Sequence, residues 1–193
     1  MRRLLVVLGA LALVAVLVIG LTQASHDDGP AAKVTHFDLP AAKRKLATAP
    51  GALRDVYSQA NQLLGGGKPA FERRLAELRG HPVVVNKWAS WCGPCQSEFP
   101  VFQSVATREG TKVAFLGIDG TDVDAAARRF LDQRPLPFPS YKDPHEVIAR
   151  SLEIPKNYPM TIFLDRRGKM AHIHVAAYRN DAALLKDIKR YLG

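Results

Sequence analysis

Cysteine is scarce in this chain: Cys92 and Cys95 are the only two among 193 residues. That scarcity excludes several chemistries. A structural zinc site needs four nitrogen or sulfur ligands, commonly from a second cysteine pair or from closely spaced histidines. Neither is present, since His26, His36, His81, His145, His172 and His174 include no pair at helical ligand spacing. His172 and His174 fall on one face of a strand, where a solvated surface is the ordinary outcome. A purely structural disulfide also fits poorly, because so small a loop removes little unfolded-state entropy. Acidic residues are outnumbered, 18 against 27 basic ones, for a net charge of +9. The basic residues are nevertheless scattered among acidic ones rather than clustered with aromatics, which excludes a nucleic-acid-binding pattern. Weak attraction to an acidic partner or to anionic lipid is the expected consequence.

Charge is missing altogether from residues 4–21, directly behind Met1-Arg2-Arg3. A run of about 18 uncharged residues is at the short edge of a membrane span. Positive residues ahead of it place the N-terminus inside and the remainder outside. The alternative is a cleavable signal peptide, with Thr22-Gln23-Ala24 as its small-residue site. A signal core is usually shorter than this run, which favours a retained anchor, and Arg2-Arg3 lacks the longer twin-arginine context. The chain is thus expected to comprise an anchor helix at 1–21, a Ser-, Gly-, Pro- and Asp-containing tether at 22–33, and one domain at 34–193 with its core at 70–193. The localisation expected is a single-pass cell-membrane protein with an extracytoplasmic domain, or a secreted protein if the signal is cleaved. A lone disulfide persists in such a compartment.

What is present is concentrated in Trp91-Cys92-Gly93-Pro94-Cys95. Val83-Val84-Val85 reads as a buried strand, and Gly93-Pro94 suits the first turn of a helix, where a missing N–H costs little. A thiolate at that helix start meets unpaired N–H groups and the positive end of the helix dipole, which lower its pKa. Cys92 is therefore expected to be the exposed nucleophile, and Cys95, one turn deeper, the resolving thiol. Pro94 tunes the loop between them. No metal or organic cofactor is implied, the redox group being the Cys92–Cys95 pair itself. Glu98 stands one turn beyond Cys95, within reach of the thiol pair, where desolvation would raise its pKa toward a range useful for proton transfer.

Elsewhere the pattern alternates strand and helix, which argues for a layered α/β domain. Helices are expected at about 51–64, ended by Gly65-Gly66-Gly67, and at about 69–78, with Phe71, Leu75 and Leu78 on one face. A strand at 83–88, a helix at 92–108, a strand at 113–118 and a helix at 123–133 follow. Pro135-Leu136-Pro137-Phe138-Pro139 must be non-helical. A short helix near 145–152, a hairpin of strands 161–165 and 170–175, and a final helix at 181–192 capped by Asn180 complete the domain. Trp88 is expected in the core. Lys87 is the odd residue of its strand, its stem buried and its ammonium reaching solvent or a carboxylate.

The stretch Asn86-Lys87-Trp88-Ala89-Ser90-Trp91-Cys92-Gly93-Pro94-Cys95-Gln96-Ser97-Glu98-Phe99-Pro100 resembles the thioredoxin superfamily, in particular its membrane-anchored TlpA/ResA-like thiol–disulfide oxidoreductases. Tyr158-Pro159-Met160-Thr161-Ile162-Phe163-Leu164-Asp165 extends the similarity, which covers roughly residues 70–193. The resemblance implies a thioredoxin-like α/β fold, a central mixed β-sheet flanked by helices, with residues 123–152 forming the insertion. It also implies that Pro159 is a cis-proline opposite the disulfide, that Tyr158 touches thiols and substrate, and that Glu98 is a functional acid. Trp91, Gly93, Pro94, Tyr158 and Pro159 would line the substrate groove, with Asn157 and Met160 as lesser contacts. Asn86 stands where thioredoxins carry a buried aspartate, a departure shared with the TlpA/ResA-like branch.

The activity these residues imply is reduction of protein disulfides. By family analogy, apocytochrome c is one candidate substrate and a CcdA/DsbD-like membrane protein the electron donor. A disulfide-donating oxidase is the closest rival, and a non-catalytic thioredoxin-fold binding module is another. A peroxiredoxin is disfavoured, because the Pro-x-x-x-Thr-x-x-Cys pattern is absent.

Overall fold

Asp38 caps the first described helix, its carboxylate accepting the Ala41 N–H at 2.8 Å. The computed structural model describes residues 36–193, so the expected anchor and tether lie outside the described residues. Helix α1 (Leu39–Leu46) starts on that cap and buries Ala42 and Leu46. Helix α2 (Gly51–Ser58) buries Leu53, Val56 and Tyr57. It stops well short of the expected end, and Leu63–Leu64 instead form a strand, β1. The cause is tertiary. Asn61 adopts a left-handed backbone (φ 63°), which ends the helical path. Its side chain donates to the Leu131 carbonyl and accepts the Leu136 N–H, while its own N–H donates to Phe138. Those bonds tie this segment to the proline-rich stretch and override the apolar periodicity that predicted a longer helix.

Helix α3 (Gly67–Glu77) turns Phe71 inward, edge-on to Tyr141 at 5.3 Å between ring centroids. Strand β2 (Val83–Trp88) is buried at every position, as an unbroken apolar start requires of a strand covered on both faces. Helix α4 (Gly93–Glu109), strand β3 (Ala114–Gly120) and helix α5 (Asp124–Gln133) follow in the expected order. The proline-rich segment then delivers an unanticipated strand, β4 (Ser140–Asp143). After the short helix α6 (Val147–Ser151) come strands β5 (Met160–Leu164) and β6 (Met170–His174) and helix α7 (Asp181–Leu192). Asn180 caps α7 as expected, accepting the Ala183 N–H at 2.9 Å.

The strands form one six-stranded mixed sheet in the order β1-β4-β3-β2-β5-β6. β1, β4, β3 and β2 run parallel, and β5 and β6 join antiparallel to complete it. β2 is therefore central, and the loop leaving its C-terminal end starts the helix that carries both cysteines. Trp88, fully buried, packs edge-on to Phe99 of α4 at 5.3 Å, and Phe99 meets Phe130 of α5 at 4.7 Å. This aromatic cluster fixes α4 and α5 against the sheet. Among the described residues, no helix is long and apolar enough to cross a membrane.

Candidate active site

Cys92 is the N-cap of α4, and its sulfur accepts the Cys95 N–H at 3.1 Å. Gly93 and Pro94 occupy the first turn, so the motif sits where unpaired N–H groups favour negative charge. Cys92 and Cys95 are joined in a disulfide. Against expectation Cys92 is not exposed: only 4% of its surface is accessible, against 0% for Cys95. Its sulfur turns back toward the helix it caps, closed in the ring with Cys95, and the exposed residue of the motif is Trp91, at 58%. Cys92 is still the more accessible of the two thiols.

The surrounding bonds hold this helix start in place. Pro100 lies inside α4 and cannot donate to Gln96 one turn back, and Arg134 from the end of α5 donates to that carbonyl at 3.3 Å. Before the motif, the Ser90 N–H and hydroxyl both donate to the Asp122 carboxylate, and Gln96 Nε2 donates to the Ser90 carbonyl at 2.8 Å. Asp119, at the end of β3, is buried with one carboxylate oxygen unpartnered. Burial first, and then repulsion from Asp122, pushes its carboxyl up to about 8.

The Tyr158–Pro159 peptide bond is cis, as the sequence resemblance implied. Pro159 is buried, and Tyr158 packs edge-on to Trp91 at 5.1 Å. Trp91 Nε1 donates to the Thr121 carbonyl at 3.1 Å, so the two aromatics and Thr121 form one rim. Gly120 is required beneath it, because a side chain there would collide with the Tyr158 hydroxyl. Of the groove residues, Asn157 is exposed and Met160 lies fully inside the sheet.

Lys87 settles its own question. It is fully buried, and its ammonium pairs with Glu146 at 2.8 Å and donates to the Pro155 carbonyl at 3.3 Å. The same ammonium lies 4.1 Å from the centre of the Tyr158 ring. The Tyr158 hydroxyl donates to Glu146 at 2.6 Å. Burial pulls the Glu146 carboxyl upward, but the Lys87 and Tyr158 hydrogen bonds and the positive charges of Lys87 and Lys156 outweigh it, holding it below the ordinary carboxylate range. Glu146 was not legible from the sequence as a site residue. It lies far from Lys87 along the chain and comes into place from a left-handed backbone (φ 53°) ahead of α6.

Glu98 is fully buried. One carboxylate oxygen accepts Asn86 Nδ2 at 2.7 Å and the other the Tyr178 N–H at 3.0 Å, so neither is hydrogen-bonded to a cysteine. Burial raises its carboxyl to about 7, with those two hydrogen bonds working against the rise. Its folded form thus holds a proton that the unfolded chain releases near 4.5. The stabilisation this confers is full below that ordinary value and is lost as pH rises through about 7. Relative to Glu98→Gln, the native domain should lose on the order of 3 kcal/mol between pH 4.5 and 7.5. Denaturant midpoints of both proteins across that range check this; parallel curves would refute it.

The family model for AhpC/TSA matches residues 67–173, more than half of the chain. The chain belongs to the AhpC/TSA family. Within this thioredoxin-like family its relatives are thiol–disulfide oxidoreductases of the ResA type. It is 31% identical over 104 residues to the thioredoxin-like protein YneN of Bacillus subtilis, covering 52% of this chain and 60% of YneN. It is 29% identical over 123 residues to the thiol–disulfide oxidoreductase ResA of Oceanobacillus iheyensis, covering 57% of this chain and 62% of ResA. The chain therefore spans about three-fifths of the length of these curated relatives. Among solved structures, it matches a secreted Mycobacterium tuberculosis disulfide oxidoreductase homologous to E. coli DsbE. That match has a TM-score of 0.54 and 26% identity, over 60% of this chain and 85% of that one. Val85 and Ala89 stand where a peroxidatic Pro-x-x-x-Thr-x-x-Cys order ending at Cys92 would need proline and threonine.

Proposed function

We propose that this AhpC/TSA-family protein is an extracytoplasmic thiol–disulfide oxidoreductase that reduces protein disulfides through Cys92 and Cys95. The observation that carries this reading is the Cys92–Cys95 disulfide capping α4, with the Trp91–Tyr158 rim and Pro159 in the same site. In the reduced protein the Cys92 thiolate attacks one sulfur of a substrate disulfide. That S–S bond breaks, a mixed disulfide forms, and the leaving substrate thiolate takes up a proton. Cys95 then loses its proton and attacks the Cys92 sulfur, releasing the second substrate thiol. Two electrons have passed from the protein to the substrate, whose two thiols take one proton from Cys95 and one from solvent, and the protein is left in the disulfide form. Glu98, with its carboxyl raised to about 7, is suited to exchange the Cys95 proton near neutral pH. An extended substrate would lie along Tyr158, pairing through backbone as an added strand does.

The uncharged run at 4–21 supports a membrane-anchored, extracytoplasmic position, and the secreted relative is consistent with that compartment. A CcdA/DsbD-type membrane protein as electron donor and apocytochrome c as a substrate follow from the same analogy, with other protein disulfides as alternatives. The Gly-Pro pair between the cysteines favours the reducing direction over disulfide donation. The reduction potential of the Cys92–Cys95 couple decides between them. A value near thioredoxin's, about −270 mV, supports reduction, and one near DsbA's, about −120 mV, overturns it in favour of an oxidase.

A further inference from the structure

Alongside Trp91 of the cysteine motif lies a cavity of about 380 Å³, lined by Trp91, Thr121 and Tyr158 together with His145, Glu146, Arg150 and Lys156. Its charge balance is one-sided. Glu146 is already engaged from below by Lys87 at 2.8 Å and by the Tyr158 hydroxyl at 2.6 Å. The neighbouring carboxylates are engaged as well. Asp122 holds Ser90 and the Val123 N–H, and Asp143 accepts the Ile148 and Ala149 N–H groups at 3.0 and 2.9 Å. Arg150 spends one guanidinium nitrogen on the His145 carbonyl. Among the described residues, neither Arg150 nor Lys156 is paired with a carboxylate. Two exposed cations thus face a cavity whose only acid is neutralised by a buried lysine.

We infer that this cavity binds the carboxylate of an aspartate or glutamate flanking the substrate cysteine, so that the preferred substrates are disulfides in acidic sequence. The inference rests on the thiol–disulfide reading of Cys92 and Cys95. A chain lying along Tyr158 sends side chains alternately toward and away from the protein, and one neighbour of its cysteine then enters between Trp91 and Arg150. An arginine fork and a lysine ammonium suit a carboxylate there, and Lys87 is what keeps Glu146 from repelling it. No covalent step is added; the cavity changes only which disulfide is held for attack.

The test uses the full chain and three synthetic peptide disulfides identical except for glutamate, glutamine or lysine beside the cysteine. At low salt, kcat/KM for the glutamate peptide should exceed that for the glutamine peptide about fivefold, with the lysine peptide slowest. The preference should shrink in 0.5 M salt. In Arg150→Gln/Lys156→Gln the glutamate-to-glutamine ratio should fall to about one, and in Arg150→Glu/Lys156→Glu the lysine peptide should become the best substrate. Equal rates for all three peptides with the native chain would overturn the acidic-substrate inference while leaving the oxidoreductase reading intact. A ratio unaltered in both double variants would also overturn it. No turnover of any peptide would overturn the oxidoreductase reading and the inference together.

Discussion

Insulin reduction should fall to the uncatalysed rate in Cys92→Ser, a loss of roughly three orders of magnitude or more. The cause is the nucleophile. A sulfur at the N-cap of α4, already accepting the Cys95 N–H at 3.1 Å, sits where helix N–H groups favour negative charge. A serine hydroxyl in the same place stays protonated and does not attack sulfur. Cys95→Ser also stops turnover, but half a cycle later: attack proceeds, and the mixed disulfide has no internal thiol to resolve it. The two variants thus share a turnover defect and differ in what accumulates. Wild-type protein that fails to reduce insulin in the presence of a dithiol reductant would instead support a binding module that has only kept the fold.

The second large effect is on stability. Lys87→Met should destabilise the domain by about 3 kcal/mol at pH 7, because removing one member of a buried ion pair leaves the Glu146 charge without its direct counter-ion, supported only by the Tyr158 hydroxyl and the charge of Lys156. Lys87 is fully buried and Glu146 is 5% exposed, so solvent does little to screen the loss. In the native protein the Glu146 carboxyl is held low, so its contribution is present above the ordinary carboxylate value and disappears as pH falls through the folded one. Without Lys87 the burial that pulls it upward is opposed only by the Tyr158 hydrogen bond and the charge of Lys156, so protonation becomes the relief. The Lys87→Met deficit should therefore shrink as pH is lowered from 7 toward 5. Lys87→Met/Glu146→Gln should recover to within roughly 1 kcal/mol of the native protein. Denaturant unfolding of the single and double variants at both pH values measures this. A double variant as unstable as the single one would show that the pair is not the cause.

Most of what was legible in the sequence depends on local signals. The valine run gives β2 its bounds, Val83–Trp88, and Asn180 with the period of Leu184, Ile188 and Leu192 gives α7. The short strands carry no such signal. β1 is two residues and β4 is Ser140-Tyr141-Lys142-Asp143, and both exist because Gln62, Asn61 and the proline-rich segment bond across the chain. The site divides the same way. Cys92, Cys95 and Pro159 are marked by motif, and the oddness of Lys87 is visible from its strand. Its partner is not, since nothing local to Glu146 distinguishes it from a surface glutamate at the start of a short helix. Asp119 and Asp122 are likewise hidden, in a stretch that reads as the end of a strand and a turn. Glu98 was legible as an acid one turn past Cys95, but its bonds to Asn86 and to the Tyr178 N–H need the folded sheet and the segment ahead of α7.

The central claim is that Cys92 attacks and Cys95 resolves. It is tested most directly by mixing the full-length Cys95→Ser protein, reduced, with a peptide disulfide and locating the adduct by mass spectrometry. The expected result is one peptide joined to Cys92 through a reductant-sensitive bond, accumulating to near stoichiometry, with none on Cys92→Ser. An adduct on Cys95 of Cys92→Ser, with none on Cys92 of Cys95→Ser, would contradict the assignment of the nucleophile.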